Sequence, residues 1–124
     1  MALNVNINYD NERNIWIVKP VGEVDIYTSP KLKEKLLKSL KEKETDLLID
    51  GEKLDYIDST GLGVLISILK KVKESENNII LINLKSNIRK LFDITGLDKV
   101  FIIKEWKRWI KILLSLQFQV DLIM

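Results

Sequence analysis

The sequence predicts an α/β fold, a single domain in which a mixed β-sheet of four to five strands carries helices packed against it. Three observations point there. An alternating apolar and polar run opens the chain, three later stretches repeat apolar residues at helical spacing behind clear start signals, and apolar runs too brief for helices separate those stretches. Short buried strands that alternate with helices imply parallel pairing through right-handed crossovers, while the opening pair supplies an antiparallel part.

Taken in order, Leu3, Val5, Ile7 and Tyr9 alternate with Asn4, Asn6 and Asn8, the period of a strand with one face buried. The polar stretch Asp10-Asn11-Glu12-Arg13-Asn14 turns the chain into a second strand, Ile15-Trp16-Ile17-Val18. Glu23 to Pro30 then reads as the end of the sheet and a loop, with Ser29 as N-cap and Pro30 in the first turn of a helix striped by Leu32, Leu36, Leu37 and Leu40. Leu47-Leu48-Ile49 is a buried strand. Ile79-Ile80-Leu81-Ile82, apolar throughout, has the character of a strand covered on both faces. Ser86 is placed to cap a third helix whose Ile88, Leu91 and Phe92 point inward, Gly96 ends it in the left-handed conformation, and Val100-Phe101-Ile102-Ile103 is the last strand.

The stretch from Leu54 to Ile66 organises the rest. Asp58, Ser59 and Thr60 all suit an N-cap, because their side-chain oxygens accept the N–H bonds that a first helical turn leaves unmade. Leu62, Leu65, Ile66, Leu69 and Val72 form the apolar stripe of the helix that starts there. Read from chemistry alone, Ser59 is first a capping serine; it is also well placed to carry a phosphate, since a helix N-terminus favours an anion.

Composition narrows the chemistry. With 124 residues, no cysteine and no histidine, the chain is long enough for a core without disulfides, and Ser-His and Cys-His nucleophile pairs and Cys/His zinc sites are excluded. Charges balance through residue 103, and the net +2 resides in the last residues, so the body gives no electrostatic signal for nucleic acid. No signal-peptide pattern opens the chain, and a cytoplasmic protein is expected. Gly61-Leu62-Gly63 lacks the third glycine of a dinucleotide fingerprint, and no phosphate-binding loop with Gly-Lys-Ser/Thr occurs. Two loops fall at the carboxyl ends of the strands, Asp25 to Ser29 and Asp55 to Gly61, where open α/β sheets do their work. Asp25 and Asp58 invite a metal or acid–base reading if they meet, but acids at helix starts are also simply stabilising. Neither a metal, a cofactor nor a catalytic residue is assigned.

The blocks Gly22-Glu23-Val24-Asp25, then Tyr56-Ile57-Asp58-Ser59-Thr60-Gly61-Leu62-Gly63, then Ile88 through Leu97 together resemble the bacterial STAS-domain family of anti-sigma factor antagonists. The resemblance implies a small sheet-and-helix domain over residues 1–103 that binds an anti-sigma factor serine kinase and so releases a sigma factor. It implies phosphorylation of Ser59, with Thr60 as second candidate, and reversal by a serine phosphatase of the metal-dependent class. It places the partner surface at Asp25, Tyr27, Thr28, Asp58, Ser59, Thr60, Gly61, Leu62 and Gly63. Because Asp25 stands in a loop before a capped helix, it is expected to shape that surface without being required for the fold. Neither nucleic acid nor a membrane is an expected partner, and a homodimer is left open. The alternative is a STAS subunit of another assembly, a stress-signalling scaffold or a lipid-transport complex.

Residues 104–124 depart from the family, being basic and tryptophan-rich. Trp106, Ile110 and Leu113 recur at helical spacing, which predicts a last helix with those residues on one buried side, the alternatives being a membrane-surface helix or a self-association surface.

Overall fold

The structure, a computed structural model, describes residues 2–105. Strand β1 (Leu3–Asp10) pairs antiparallel with β2 (Ile15–Val24) as the alternation predicts, from Leu3 against Gly22 to Asp10 against Ile15. Asp10 closes their turn: its carboxylate accepts from the N–H groups of Glu12 and Arg13 at 3.0 and 3.1 Å and pairs with the Arg13 guanidinium at 2.6 Å. β2 runs past Pro20 to Val24, well beyond the expected end. Residues 15–18 pair in parallel with β3 (Asp46–Asp50), and Gly22–Val24 pair with β4 (Leu54–Ile57). Pro20 falls between these two partners, where a missing N–H breaks no ladder.

β4 is a sixth strand where the sequence suggested only a turn. It is four residues long and buries Leu54 and Ile57 but exposes Asp55 and Tyr56, a pattern without the period of two that betrays a strand. The remaining order is β1-β2-β3-β5-β6, with β5 at Ile79–Ile82 and β6 at Ile102–Lys104. Helices α1 (Ser29–Glu42), α2 (Ser59–Glu74) and α3 (Ser86–Thr95) make the crossovers. Each crossover steps the same way across the sheet, so right-handed connections put all three helices on one face.

That face holds the core. Val18, Leu47, Ile49, Ile79 and Leu81 of the sheet meet Leu36, Ile68, Ile88 and Phe92 of the helices, all of them buried. Phe92 packs edge-to-face on Phe101 with ring centres 5.4 Å apart. Side chains of this size each contribute about 1.5–3 kcal/mol when fully buried, so the helix stripes fix which way each helix faces. Leu37, expected in the α1 stripe, is 38% exposed.

The capping expectations need correction at two helices. The N-cap of α1 is Thr28 and that of α3 is Lys85, neither with a side-chain cap bond; Ser29 and Ser86 stand at the first helical positions instead. Gly96 does end α3 in the left-handed conformation, at φ 74°. The expected burial of Trp106, Ile110 and Leu113 concerns residues outside those described.

Candidate functional site

β2 and β4 lie side by side and parallel, and the register pair Val24 and Ile57 closes their ladder. The residues that follow are Asp25 and Asp58, so two acidic helix entrances emerge at neighbouring points of one sheet edge. The Asp58 N–H bonds the Val24 carbonyl at 3.1 Å and locks the second entrance to the first. The two loops that the sequence assigned to the working edge are thus brought together.

At the first entrance the acid turns inward. Asp25 is only 6% exposed, and its Oδ1 accepts from the N–H of Tyr27 at 2.9 Å and of Thr28 at 3.0 Å. The Thr28 hydroxyl accepts from the Asp25 N–H at 2.9 Å and donates to the Glu23 carbonyl at 2.8 Å, with Asp25 Oδ1 3.2 Å away. The Thr28 N–H foremost, and then the Tyr27 N–H and the Thr28 hydroxyl, hold the Asp25 carboxyl below its ordinary value against the opposing effect of burial. Asp25 therefore builds the loop. That placement runs against the expectation that the fold does not require Asp25, since Asp25 and Thr28 are both buried and spend their side chains on bonds within the loop. What the closed loop presents outward is Ile26, 61% exposed, and Tyr27, 87% exposed.

At the second entrance the acid caps. Asp58 adopts an extended conformation and its Oδ1 accepts from the Gly61 N–H at 2.9 Å, satisfying one of the orphan donors of α2. Ser59 is thereby relieved of the capping role that chemistry alone assigned to it. It stands exposed at the first helical position, beside exposed Thr60, and no hydrogen bond engages its hydroxyl among the described residues. Ser59 also lines a shallow groove of about 490 Å³ between the β4–α2 corner and Asn87, Ile88 and Leu91 of α3.

The two glycines after Thr60 differ. A Cβ on Gly61 would meet Ile57 Cγ1 at 2.6 Å and Val24 Cγ1 at 2.7 Å, so this glycine lets α2 sit down on the paired strand ends. Gly63 is exposed with open space around it. Leu62 is buried in the core at 7% exposure. Of the residues expected at the partner surface, Gly61 and Leu62 are buried, while Tyr27, Ser59, Thr60 and Gly63 are exposed. Sequence reasoning missed Ile26 and Tyr56, the latter 46% exposed; an apolar residue set between polar ones in a working-edge loop was the available signal.

Asp25 and Asp58 are both committed to backbone donors, and no cluster of three or more metal-ligating side chains occurs among the described residues. No helix among them is long and apolar enough to cross a membrane.

The sequence profile of the STAS domain matches residues 6–112. The anti-sigma-B factor antagonist of Bacillus subtilis (strain 168) is 40% identical over 98 residues, covering 79% of this chain and 89% of its own length. The chain belongs to the STAS-domain family of anti-sigma factor antagonists. Another such relative of this STAS domain, from Staphylococcus epidermidis, is 34% identical over 103 residues, 83% of this chain and 95% of that one. Among solved structures, a putative anti-sigma factor antagonist from Thermotoga maritima superposes with a TM-score of 0.74 at 21% identity, over 80% of this chain and 84% of that one. SpoIIAA in its unphosphorylated form gives 0.68 at 17% identity, over 89% and 97%. At these identities the solved structures speak for the fold alone. The family is one of regulatory proteins rather than enzymes.

Proposed function

We propose that this STAS domain binds an anti-sigma factor serine kinase through the paired helix entrances, so releasing a sigma factor, and that phosphate on Ser59 switches it off. The observation that carries the reading is the free, exposed Ser59 hydroxyl at the start of α2, next to a cap that Asp58 already supplies. Thr60 is the second candidate acceptor. The relatives from Bacillus subtilis and Staphylococcus epidermidis, named as anti-sigma-B factor antagonists, support the partner class, and a SpoIIAA structure in the phosphorylated form is among the neighbours of this fold.

The physics of the switch follows from the site. A phosphoserine adds roughly −1.5 to −2 charges at neutral pH. On Ser59 that charge stands one residue from the Asp58 carboxylate and in the groove that exposed Tyr56 also lines. The positive end of α2 tolerates it, so the domain stays folded. A partner seated on the α2 entrance meets added bulk and like charge instead. Couplings of this kind run about 1–3 kcal/mol, a change of about 5- to 150-fold in affinity. A serine phosphatase of the metal-dependent class restores the hydroxyl.

The test is phosphopeptide mapping after incubation with a cognate anti-sigma factor kinase and ATP. Phosphate is expected on Ser59, and Ser59→Ala is expected to incorporate none while still binding the kinase. Undiminished incorporation into Ser59→Ala would overturn the assignment. Failure of both proteins to bind any such kinase would favour a STAS subunit of a different assembly.

A further inference from the structure

β1 is an outer strand of the sheet, and no described strand pairs with its free side. The way it faces its neighbour shows what that side carries. Gly22, opposite Leu3, sends its N–H to the Lys53 carbonyl at 3.0 Å, away from β1. Leu3 and Gly22 are therefore a non-hydrogen-bonded pair, and by the alternation of an antiparallel ladder so are Val5 with Pro20, Ile7 with Val18 and Tyr9 with Trp16. The N–H and C=O groups of Leu3, Val5, Ile7 and Tyr9 all point outward. From Leu3 to Tyr9 the strand holds no charged side chain and no proline, the features that usually keep such an edge from pairing with another chain.

The charge comes instead from α1. Lys31 donates to the Leu3 carbonyl at 3.1 Å and Lys35 to the Val5 carbonyl at 3.3 Å. Lys43, at the end of the helix, sets its ammonium 4.0 Å from the centre of the Tyr9 ring. Spacing explains the match: four residues of helix advance about 6 Å and two residues of strand about 6.7 Å. Lysines 4 and 12 positions after Lys31 thus keep step with strand residues 2 and 6 positions after Leu3. α1 lines β1 with a row of ammonium groups, two of them on outward carbonyls. Lys33 and Lys38 of the same helix are exposed and stand outside this row.

We propose that β1 is a latent pairing edge for a second copy of this chain, and that Lys31 and Lys35 hold it closed. Two copies of one strand meet antiparallel about a two-fold axis. With the axis at Asn6, Leu3 faces Tyr9 and Val5 faces Ile7 of the second copy, so apolar side chains meet on one face and asparagines on the other. The strand is self-complementary in that register. Its ladder draws on the carbonyls of Leu3 and Val5, which are the two that the lysines occupy. A second strand forms it only after both ammonium groups leave, and the two displaced rows then carry like charge along one seam.

Lys31→Met with Lys35→Met removes both donors and keeps the side-chain length. Lys33→Met with Lys38→Met matches it in lost charge and added apolar surface, away from the strand. Sedimentation velocity over a concentration series of the full chain is expected to show the first variant self-associating at least about 30-fold more tightly than the second or the wild type. Backbone hydrogen exchange at Val5 and Ile7 locates the contact: these outward N–H groups are expected to exchange fast in the wild type and slowly in the associated variant. Equal association of the two variants would overturn the proposal. So would association that leaves Val5 and Ile7 fast, which would place it on another surface, and so would slow exchange there in the wild type, which would mean an edge already paired. A measurement on the unmodified chain checks the lysines directly. The ammonium protons of Lys31 and Lys35 are expected to exchange with water more slowly than those of Lys33 and Lys38; equal rates would mean that the carbonyls stand open and would overturn the closed edge.

Discussion

The entrances of α1 and α2 are near copies in sequence, an aspartate followed within a few residues by hydroxyl side chains, yet they use those groups in opposite ways. In the first, Asp25 gathers the N–H groups of Tyr27 and Thr28, and the hydroxyl-bearing Thr28 and Ser29 are buried at 9% and 2% exposure. In the second, Asp58 caps the helix and the hydroxyls of Ser59 and Thr60 face solvent. The lesson is that the fate of a hydroxyl is decided by what the neighbouring acid has already satisfied. The first entrance is a rigid buttress that displays Ile26 and Tyr27, and the second is a capped helix that displays a free serine.

The largest expected effect tests how closely the second entrance rests on the first. Gly61→Ala places a methyl against Val24 and Ile57, whose branched side chains yield poorly, and is expected to cost about 1–3 kcal/mol, the range for overpacked cores. Gly63→Ala, one turn-neighbour away in open space, is expected to gain about 0.5–1 kcal/mol from helix propensity. Denaturant titration of the two variants gives both signs. A harmless Gly61→Ala would mean that α2 is not seated on the paired strand ends.

The next effect is on the buttress. Asp25→Ala leaves the loop N–H groups of Tyr27 and Thr28 without their acceptor, and a fall in Tm on the order of 5–10 °C is expected for a domain of this size. The pH dependence has a definite sign. The folded carboxyl titrates below the ordinary value of 3.8, so its bonds stabilise the fold fully above that value and lose their contribution as pH falls through the lowered one. The gap in Tm between wild type and Asp25→Ala is therefore expected to be constant near neutrality and to close below about pH 4. A gap that widens on acidification would contradict the inward-turned acid.

Much of this architecture was legible in the sequence. The alternation of Leu3 to Tyr9, the leucine stripe of α1 and the continuous apolar run of β5 each carry a period that only one element satisfies. β4 was not legible, because its four residues are too few to show a period and its exposed Asp55 and Tyr56 read as turn. The roles of Asp25 and Ser59 were hidden for a different reason. Both depend on which local donors each acid takes, the Tyr27 and Thr28 N–H groups for Asp25 and the Gly61 N–H for Asp58, a choice among several competing oxygens that residue types alone do not settle.

A smaller effect is expected at the second acid. Asp58→Ala removes the bond to the Gly61 N–H but leaves that donor near water at the helix mouth, and a loss of about 1 kcal/mol is expected, the usual value of an N-cap. The same change is expected to shift the cap search onto Ser59, the next residue with an oxygen, and so to slow phosphate transfer by a cognate kinase. Transfer at the wild-type rate in Asp58→Ala would show that the serine's freedom does not depend on the cap.

The smallest expected effect on stability is at Ser59 itself, and it separates the two entrances most sharply. If the serine were the cap, Ser59→Ala would cost about 1 kcal/mol. With Asp58 capping and the hydroxyl exposed and unengaged, the change removes nothing that the fold uses, so the loss is expected to stay within about 0.5 kcal/mol, the range of surface substitutions. Thr28→Ala is the matched change at the first entrance, where the hydroxyl accepts from the Asp25 N–H and donates to the Glu23 carbonyl. It is expected to lower Tm clearly while Ser59→Ala leaves it nearly unmoved, each measured by calorimetry at neutral pH. Equal losses would mean that the two hydroxyls do the same structural work, and the serine would then have to give up a fold contact before it could carry a phosphate. A silent Ser59→Ala beside a destabilised Thr28→Ala leaves the second entrance as the one where a hydroxyl is held in place without being consumed by the fold, which is the physical requirement for a reversible modification site.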